Sequence, residues 1–244
     1  MMEIVSKLKA ASRHLPASAF DALYSQALGA RVRTGRFGSP EPEFEHLNLL
    51  VPADENVIDG GANFGIFAVA IAPLLQQDRW VFAFEPVLNT RRMLMKQIAR
   101  AGLANVAVFP TALSDNDGFV GLEAPSFDDG RTNLFRSEIS TDTPANALAL
   151  RGEILAGLGP VGFIKLDVEG HEKSALVGLS AILRDFSPNL LVEGHTDEVS
   201  SFLSGFGYES AILEDSPNTV FVSTSRDPAG ETLERLTGAS RSVE

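Results

Sequence analysis

The sequence predicts an α/β fold built on a mostly parallel β-sheet with helices on both faces. Short apolar runs that are typical of buried strands alternate with longer stretches of helical periodicity, and this alternation favours a parallel sheet. Two strands near the C-terminus lie too close together for a crossover helix, so we expect an antiparallel hairpin there. A short apolar strand also runs into the glycine-rich segment 59–65. A nucleotide-like cofactor site begins with this arrangement.

The predicted elements follow one another with short connections. We predict strands at residues 56–59, 80–84, 105–109, 162–168, 189–193, 207–213 and 218–223. We predict helices at residues 64–75, 87–102, 143–157, 171–184 and 196–205. Residues 1–45 are predicted to form a helical N-terminal extension, 46–224 the cofactor-binding domain, and 225–244 a polar C-terminal tail that is frayed or loosely docked.

Composition restricts the possible partners. The chain of 244 residues has a net charge of −12, and no cluster of lysine and arginine forms the basic face that nucleic-acid binding requires. The absence of cysteine excludes disulfides, thiolate nucleophiles and cysteine-ligated metal sites. No apolar run is long enough to span a membrane, and charged residues interrupt the apolar positions of residues 1–15. We therefore expect a cytoplasmic protein with no nucleic-acid and no membrane partner.

The acid at the start of the glycine-rich segment discriminates between cofactors. The carboxylate of Asp59 would repel a pyrophosphate, which normally lies on the backbone amides of the following helix. S-adenosylmethionine has no phosphate and carries an ammonium and a sulfonium, so it suits Asp59 better than NAD or ATP does. Gly61 and Gly65 permit positive φ and a close ligand, and Asn63 tolerates the same conformations. An NAD-dependent oxidoreductase is therefore a disfavoured alternative.

A second acid strengthens the case for a nucleoside cofactor. Glu85 follows the predicted strand 80–84, and an acid roughly 20 residues after the glycine-rich turn commonly binds a ribose hydroxyl. Pro86 suits the first turn of the next helix, which leaves the Glu85 carboxylate at the carboxyl edge of the sheet.

Five sequence blocks together resemble a known family. They are Asp59-Gly60-Gly61-Ala62-Asn63-Phe64-Gly65, Phe84-Glu85-Pro86, Ala112-Leu113-Ser114-Asp115, Lys165-Leu166-Asp167-Val168-Glu169-Gly170-His171-Glu172 and Leu191-Val192-Glu193-Gly194. In order and spacing, over about residues 40 to 224, they resemble the FkbM-type S-adenosylmethionine-dependent methyltransferases. The resemblance implies a Rossmann-like class I methyltransferase fold, a seven-stranded sheet whose last strand is antiparallel. It also implies O-methylation of a hydroxyl on a sugar or natural-product small molecule.

We assign cofactor and catalytic roles to side chains at the predicted strand ends. The expected S-adenosylmethionine-binding residues are Asp59, Gly61, Asn63, Gly65, Glu85, Pro86, Ala112 and Asp167. The expected catalytic residues are His171, Asp167 and Glu193. Methyl transfer to oxygen needs an aligned acceptor and a base for its proton. His171 is the first choice for that base because its ordinary pKa of about 6.5 suits neutral pH.

Other interpretations of these residues stay open at this stage. His171 and its neighbours are also what a turn and a helix N-terminus require, and Glu193 with His195 is equally typical of a buried hydrogen-bond network. Asp167, Glu169, Glu193 and His195 could instead hold a divalent metal, although we assign no metal site. A cofactor-binding module without catalysis is the alternative from a different functional class. The acceptor should contact the segment 118–143, which has no readable code.

Overall fold

The computed structural model describes residues 39, 41–123, 137–140 and 142–238. In chain order the strands are β1 (Asn56–Gly60), β2 (Val81–Phe84), β3 (Val106–Phe109), β4 (Thr111–Leu113), β5 (Gly118–Val120), β6 (Leu122–Glu123), β7 (Glu138–Ile139), β8 (Ala147–Leu150), β9 (Val161–Leu166), β10 (Asn189–Glu193), β11 (Tyr208–Ala211) and β12 (Asn218–Ser223). The α-helices are α1 (Leu47–Leu50), α2 (Ile66–Ile71), α3 (Leu88–Ala101), α4 (Glu172–Gly178), α5 (Ser180–Phe186), α6 (Asp197–Ser204) and α7 (Glu231–Thr237). Short 3-10 helices cover Pro42–His46, Ala72–Leu74 and Gly152–Leu158.

The main sheet has seven strands in the order β11-β12-β10-β9-β1-β2-β3. Five neighbouring strands of this sheet pair in parallel, namely β3, β2, β1, β9 and β10. By contrast, β12 runs antiparallel to both β10 and β11. The predicted mostly parallel seven-stranded sheet with an antiparallel last strand is therefore confirmed, as is the C-terminal hairpin. The strand order reverses between β1 and β9, which is where ligands bind in open α/β sheets.

Period-two alternation divides the core into two layers. In β1, Val57 packs into one hydrophobic layer and Ile58 into the other, and Phe163 and Ile164 divide in the same way in β9. Successive side chains of a strand point to opposite faces, so a strand covered on both faces is apolar throughout. Helices α1, α2, α3 and α7 contribute side chains to the first layer, and helices α4, α5 and α6 to the second.

The structure corrects the element predicted at residues 143–157. This segment contains the strand β8 and then a 3-10 helix, and β8 lies between β4 and β5 in a separate three-stranded sheet. The sequence Ala-Leu-Ala-Leu has high helix propensity, but its alternation suits a strand: Ala149 is buried whereas Leu148 is exposed. Tertiary pairing outweighs propensity here.

Two further corrections concern helices. The segment 171–184 forms α4 and α5 with Leu179 between them, and does not form one continuous helix. The C-terminal tail also contains α7, whose Leu233 and Leu236 are buried in the first core layer. The segment predicted as loosely docked is thus fixed by apolar packing up to that helix.

The domain boundaries themselves stay predictions. Most of the predicted N-terminal extension lies outside the described residues, as does much of the predicted acceptor segment 118–143. The described part before β1 packs closely, with Glu43 and Leu50 fully buried. Among the described residues, no helix is both long and apolar enough to cross a membrane.

Candidate active site

A pocket opens at the carboxyl ends of β1, β2 and β9, beside the point where the strand order reverses. Most residues predicted to bind the cofactor contribute to its lining, namely Gly61, Asn63, Glu85, Pro86, Ala112 and Asp167. Phe84, Val87, Leu113 and Ile139 provide apolar walls. The structure therefore brings the separate sequence blocks to one cavity.

The glycine-rich turn after β1 is shaped by the protein's own backbone. Gly61 has a φ of 73° and Asn63 a φ of 47°, both in the left-handed region that the sequence predicts for them. A Cβ at Gly61 would lie 1.8 Å from the carbonyl oxygen of Asp167. Glycine is thus required at residue 61 because the chain after β9 passes directly against the turn.

Gly65 serves helix packing and does not line the pocket. Its φ is 85°, and a Cβ there would lie 2.4 Å from Cδ1 of Leu94 in α3. The prediction that Gly65 binds the cofactor finds no support in this position, because the residue lies at the start of α2 against another helix. Its glycine is explained by the close approach of α2 and α3.

Glu85 is held by hydrogen bonds from three donors. Its Oε2 accepts from the backbone N–H of Asn63 at 2.9 Å. Its Oε1 accepts from the N–H of Val87 at 2.8 Å and the hydroxyl of Thr90 at 2.9 Å. Burial raises the pKa of Glu85, and these hydrogen bonds oppose the increase. The carboxylate is therefore rigidly oriented at the pocket wall, with Oε2 carrying only one of these bonds.

A buried lysine supports the carboxylate that follows β9. Lys165 is only 4% exposed, and its Nζ lies 2.9 Å from Oδ2 of Asp167 and 3.4 Å from the carbonyl oxygen of Gly61. The ammonium also lies over the ring of Phe67, 5.3 Å from its centroid. Burial alone would lower the pKa of Lys165, but the carboxylates of Asp167 and Asp59 outweigh this effect and raise the pKa above its ordinary value. The lysine is therefore charged.

Three carboxylates meet beside the pocket. Asp167, Glu169 and Glu193 each place one oxygen within 4.8 Å of the others. Burial and the neighbouring Asp167, with which it forms a hydrogen bond, raise the pKa of Glu193 to about 8. Burial would also raise the pKa of Asp167, but Lys165 and the hydrogen bond with Glu193 lower it. Within this pair, Glu193 therefore binds a proton more readily than Asp167 does.

Asp59 does not reach the pocket. Its side chain is fully buried, and it is the register partner of Lys165 across β1 and β9. The groups that act on its carboxyl include Lys165 and the backbone N–H of Ala68 in α2. Burial raises the pKa of Asp59 to about 6, against the lowering effect of Lys165. The structure therefore does not support direct contact between Asp59 and the cofactor, because β1 continues for one residue beyond Asp59 before the turn that lines the pocket begins.

His171 lies outside the described lining of the pocket, at the N-cap position of α4. Its Nε2 is 3.0 Å from the hydroxyl oxygen of Ser114, which in turn donates to Asp115 at 3.1 Å. Burial lowers the pKa of His171 below its ordinary value, so the ring is neutral at physiological pH. The catalytic role of His171 remains a prediction.

The side chain of His195 does not join the carboxylates. Its Nδ1 lies 2.7 Å from Oγ1 of Thr219, and its Nε2 lies 3.3 Å from the carbonyl oxygen of Ser216. The four-residue metal alternative is thus reduced to the cluster Asp167, Glu169 and Glu193. The network interpretation of His195 fits these contacts.

The pocket suits S-adenosylmethionine better than a phosphate-bearing cofactor. The charged side chains among its described lining residues are Glu85, Asp167 and Glu169, all of them acids. Such a lining attracts an ammonium and a sulfonium and repels a pyrophosphate. The oriented carboxylate of Glu85 can accept from ribose hydroxyls, and the apolar walls can cover an adenine ring.

The sequence patterns missed several side chains that shape the site. Thr90, Lys165 and Glu172 each hold a carboxylate or a turn in place, and Glu172 does so by accepting from the N–H groups of Val168 and Gly170 at 3.2 and 3.1 Å. A signal for Lys165 was present, because a lysine inside the otherwise apolar strand Val161–Leu166 needs a buried partner.

Comparison with known proteins agrees with the site. The model of the methyltransferase FkbM domain matches residues 59–210, which is more than half of the chain. The antimetabolite synthetase AmbE of Pseudomonas aeruginosa is 25% identical over 217 residues, covering 68% of this chain but only 10% of that protein. The chain therefore spans about a tenth of this curated relative.

One solved structure shows a similar fold, and a second is more distantly similar. The FkbM methyltransferase of Methylobacillus flagellatus is 16% identical with a TM-score of 0.53, covering 89% of this chain and 58% of that one. Fibrillarin of Aeropyrum pernix, solved with S-adenosyl-L-methionine bound, is 11% identical with a TM-score of 0.44, covering 71% of this chain and 67% of that one. From the domain match, the chain belongs to the FkbM family of S-adenosylmethionine-dependent methyltransferases.

Proposed function

We propose that the chain transfers a methyl group from S-adenosylmethionine to a hydroxyl oxygen of a small molecule. The observation that carries this proposal is the carboxylate cluster beside the cofactor pocket, in which Asp167, Glu169 and Glu193 each place one oxygen within 4.8 Å of the others and burial with the neighbouring Asp167 raises the pKa of Glu193. A hydroxyl acceptor must lose its proton as it takes the methyl group, so a nearby base with a pKa close to the working pH is what O-methylation requires.

The chain's own residues account for binding and orientation. Glu85 accepts from the ribose hydroxyls through the lone pairs that Asn63, Val87 and Thr90 leave free. Asn63, Pro86 and Ala112 enclose the nucleoside portion, and Gly61 with Asp167 forms the wall towards the reacting end. When bound, S-adenosylmethionine supplies an electrophilic methyl group on its sulfonium. The apolar walls exclude water that would compete with the acceptor.

Proton transfer is assigned to Glu193. Its carboxylate, when deprotonated, takes the proton of the acceptor hydroxyl while the acceptor oxygen bonds to the methyl carbon and the carbon–sulfur bond breaks. Glu193 is favoured over His171 because it lies against Asp167, which lines the pocket, whereas His171 binds Ser114. Asp167 and Glu169 then orient the acceptor.

A metal-assisted form of the same reaction is the second candidate. The three oxygens of Asp167, Glu169 and Glu193 lie close enough together to hold a divalent cation. Such an ion would lower the pKa of the acceptor hydroxyl directly. Loss of activity on chelation with EDTA, restored by magnesium, would favour this candidate over an unassisted base.

The relationship to AmbE supports an acceptor from biosynthesis, because AmbE is named as an antimetabolite synthetase. The decisive experiment incubates the chain with S-adenosylmethionine that carries a ¹³C-methyl group and with a panel of sugars, hydroxylated amino acids and amines. The carbon chemical shift of the product distinguishes an O-methyl from an N-methyl group. Products methylated only on nitrogen, or binding of the cofactor without any product, would reject the proposal.

A further inference from the structure

We propose that Lys165 is a positioning residue for Asp167, and that its buried ammonium locks Asp167 and the Gly61 turn into one binding surface. The inference rests on the proposed function, since it concerns the same pocket. Lys165 itself is not among the described residues that line the pocket. Its hydrogen bonds reach the pocket through Asp167 and Gly61, which do line it.

The contacts of Lys165 join two separate parts of the chain. Nζ donates to Oδ2 of Asp167, which follows β9, and to the carbonyl oxygen of Gly61, which follows β1. Asp167 and Gly61 both line the pocket. Asp167 is also linked to this turn by its backbone N–H, which donates to the carbonyl oxygen of Gly60 at 3.1 Å. Lys165 thus connects the part of the pocket wall formed by Gly61 with the part formed by Asp167.

The charges around Lys165 explain why the ammonium is fixed. The acids that act on its charge are Asp59 from β1, Asp167 from the end of β9, and Glu41 from the segment before the first 3-10 helix. Glu193 from β10 forms a hydrogen bond with Asp167, and Glu169 from the turn after β9 acts on the charge of Glu193. Phe67 of α2 covers the ammonium with its ring. A charged side chain enclosed in this way has little freedom to turn elsewhere.

The consequence for Asp167 is a fixed orientation. One oxygen, Oδ2, is occupied by Lys165, so the other oxygen is left for a ligand or for Glu193. Without the ammonium, Asp167 would lose the contact that holds Oδ2, and its hydrogen bond with Glu193 would be left to set its orientation. Lys165 therefore fixes the orientation that Asp167 presents at the pocket wall.

The test measures the affinity for S-adenosylhomocysteine by calorimetry, so that no acceptor is needed. We expect Lys165→Met to weaken binding about ten-fold or more, as for the loss of a charge-assisted hydrogen bond. Asp167→Asn should weaken binding in the wild-type background and have little further effect in the Lys165→Met background, because both changes remove the same arrangement. Equal effects of Asp167→Asn in both backgrounds would overturn the proposal.

The matched control is Lys173→Met. The Nζ of Lys173 also lies over an aromatic ring, 4.9 Å from the centroid of Phe202, and 3.4 Å from a carboxylate oxygen of Glu198, but Lys173 contacts neither Gly61 nor Asp167 in the hydrogen bonds described for it. We expect this variant to bind S-adenosylhomocysteine as the wild type does. Weakening of equal size in Lys173→Met would mean that Lys165→Met acts through general destabilisation, which would overturn the positioning role.

A second variant separates positioning from charge compensation. Lys165→Met leaves Asp59 without its neighbouring positive charge, which lowers stability whether or not Asp167 is positioned. The double variant Lys165→Met/Asp59→Asn removes both charges and should regain thermal stability while binding stays weak. Full recovery of binding would show that Lys165 only neutralises Asp59. Failure of the wild type to bind S-adenosylhomocysteine would instead reject the cofactor site of the proposed function.

Discussion

The close contact between Gly61 and Asp167 yields a prediction whose magnitude can be worked from two glycines. Gly61 and Gly170 both have left-handed backbones, with φ of 73° and 85°. A Cβ at Gly61 would lie 1.8 Å from the carbonyl oxygen of Asp167, whereas a Cβ at Gly170 would have no atom within 4 Å. Replacing each by alanine therefore separates the backbone penalty, which both share, from the clash, which only Gly61 has.

The expected magnitudes differ accordingly. A left-handed conformation costs an L-residue about 1–2 kcal/mol, which should be the whole effect of Gly170→Ala. Gly61→Ala should lose this amount and in addition ~1–3 kcal/mol for overpacking, since the obstructing atom belongs to the backbone of the chain after β9 and the interior is close-packed. We also expect weaker binding of S-adenosylhomocysteine, because relief of the clash must move Asp167 or the turn.

The assay is urea denaturation of both variants beside the wild type, followed by calorimetric titration with S-adenosylhomocysteine. A drop in the free energy of unfolding of Gly61→Ala that equals that of Gly170→Ala would refute the clash. Unchanged affinity of Gly61→Ala would show that the cofactor does not depend on this turn. Because the clash is with the protein's own backbone, a bulkier residue at 61 should perturb the fold as well as the ligand site.

The remaining predictions concern the cofactor, the base and the C-terminal helix. Glu85→Gln should weaken S-adenosylhomocysteine binding about ten-fold, because an amide cannot replace both accepting oxygens. Glu198→Gln, at an exposed helix position, serves as the control. Equal affinities of these two variants would remove Glu85 from the site. The rate of methyl transfer should rise with pH through about 8, where Glu193 loses its proton, and Glu193→Gln should remove this limb. A limb below pH 6.5 that disappears in His171→Ala would assign the base to His171 instead. Leu236→Ala should lower the free energy of unfolding by ~2–5 kcal/mol, whereas Leu88→Ala at an exposed position should change it by less than ~0.5 kcal/mol.

The sequence predicted the main sheet well because its strands carry strong local signals. Val161–Leu166 and Asn189–Glu193 are apolar runs bounded by turn residues, and a strand covered by helices on both faces must have that composition. The antiparallel hairpin was predicted because few residues separate the last two strands in the sequence. These features depend on neighbours in sequence, so one chain is enough to predict them.

The features of the fold that the sequence did not predict depend on contacts between residues that are far apart in the chain. Residues 147–150 have the composition of a helix and become a strand only because β4 and β5 lie beside them. The burial of Leu233 and Leu236 likewise depends on a groove that other elements form.

The candidate site shows the same division. Its acids were predicted from strand ends, and the pocket brings Glu85 and Asp167 together as expected. The burial of Asp59 and the helix-packing role of Gly65 could not be predicted, because each depends on which element passes beside it. The partners of Lys165 required knowledge of strand register, which the hydrophobic pattern alone does not fix between parallel strands.

A crystal structure of the chain with S-adenosylhomocysteine would show where the cofactor binds. We predict that the ribose lies against the Glu85 carboxylate and that the amino-acid end lies between Gly61 and Asp167, with the sulfur facing Glu169 and Glu193. Electron density for the ligand at another edge of the sheet, or contact of its ribose with residues other than Glu85, would contradict the account.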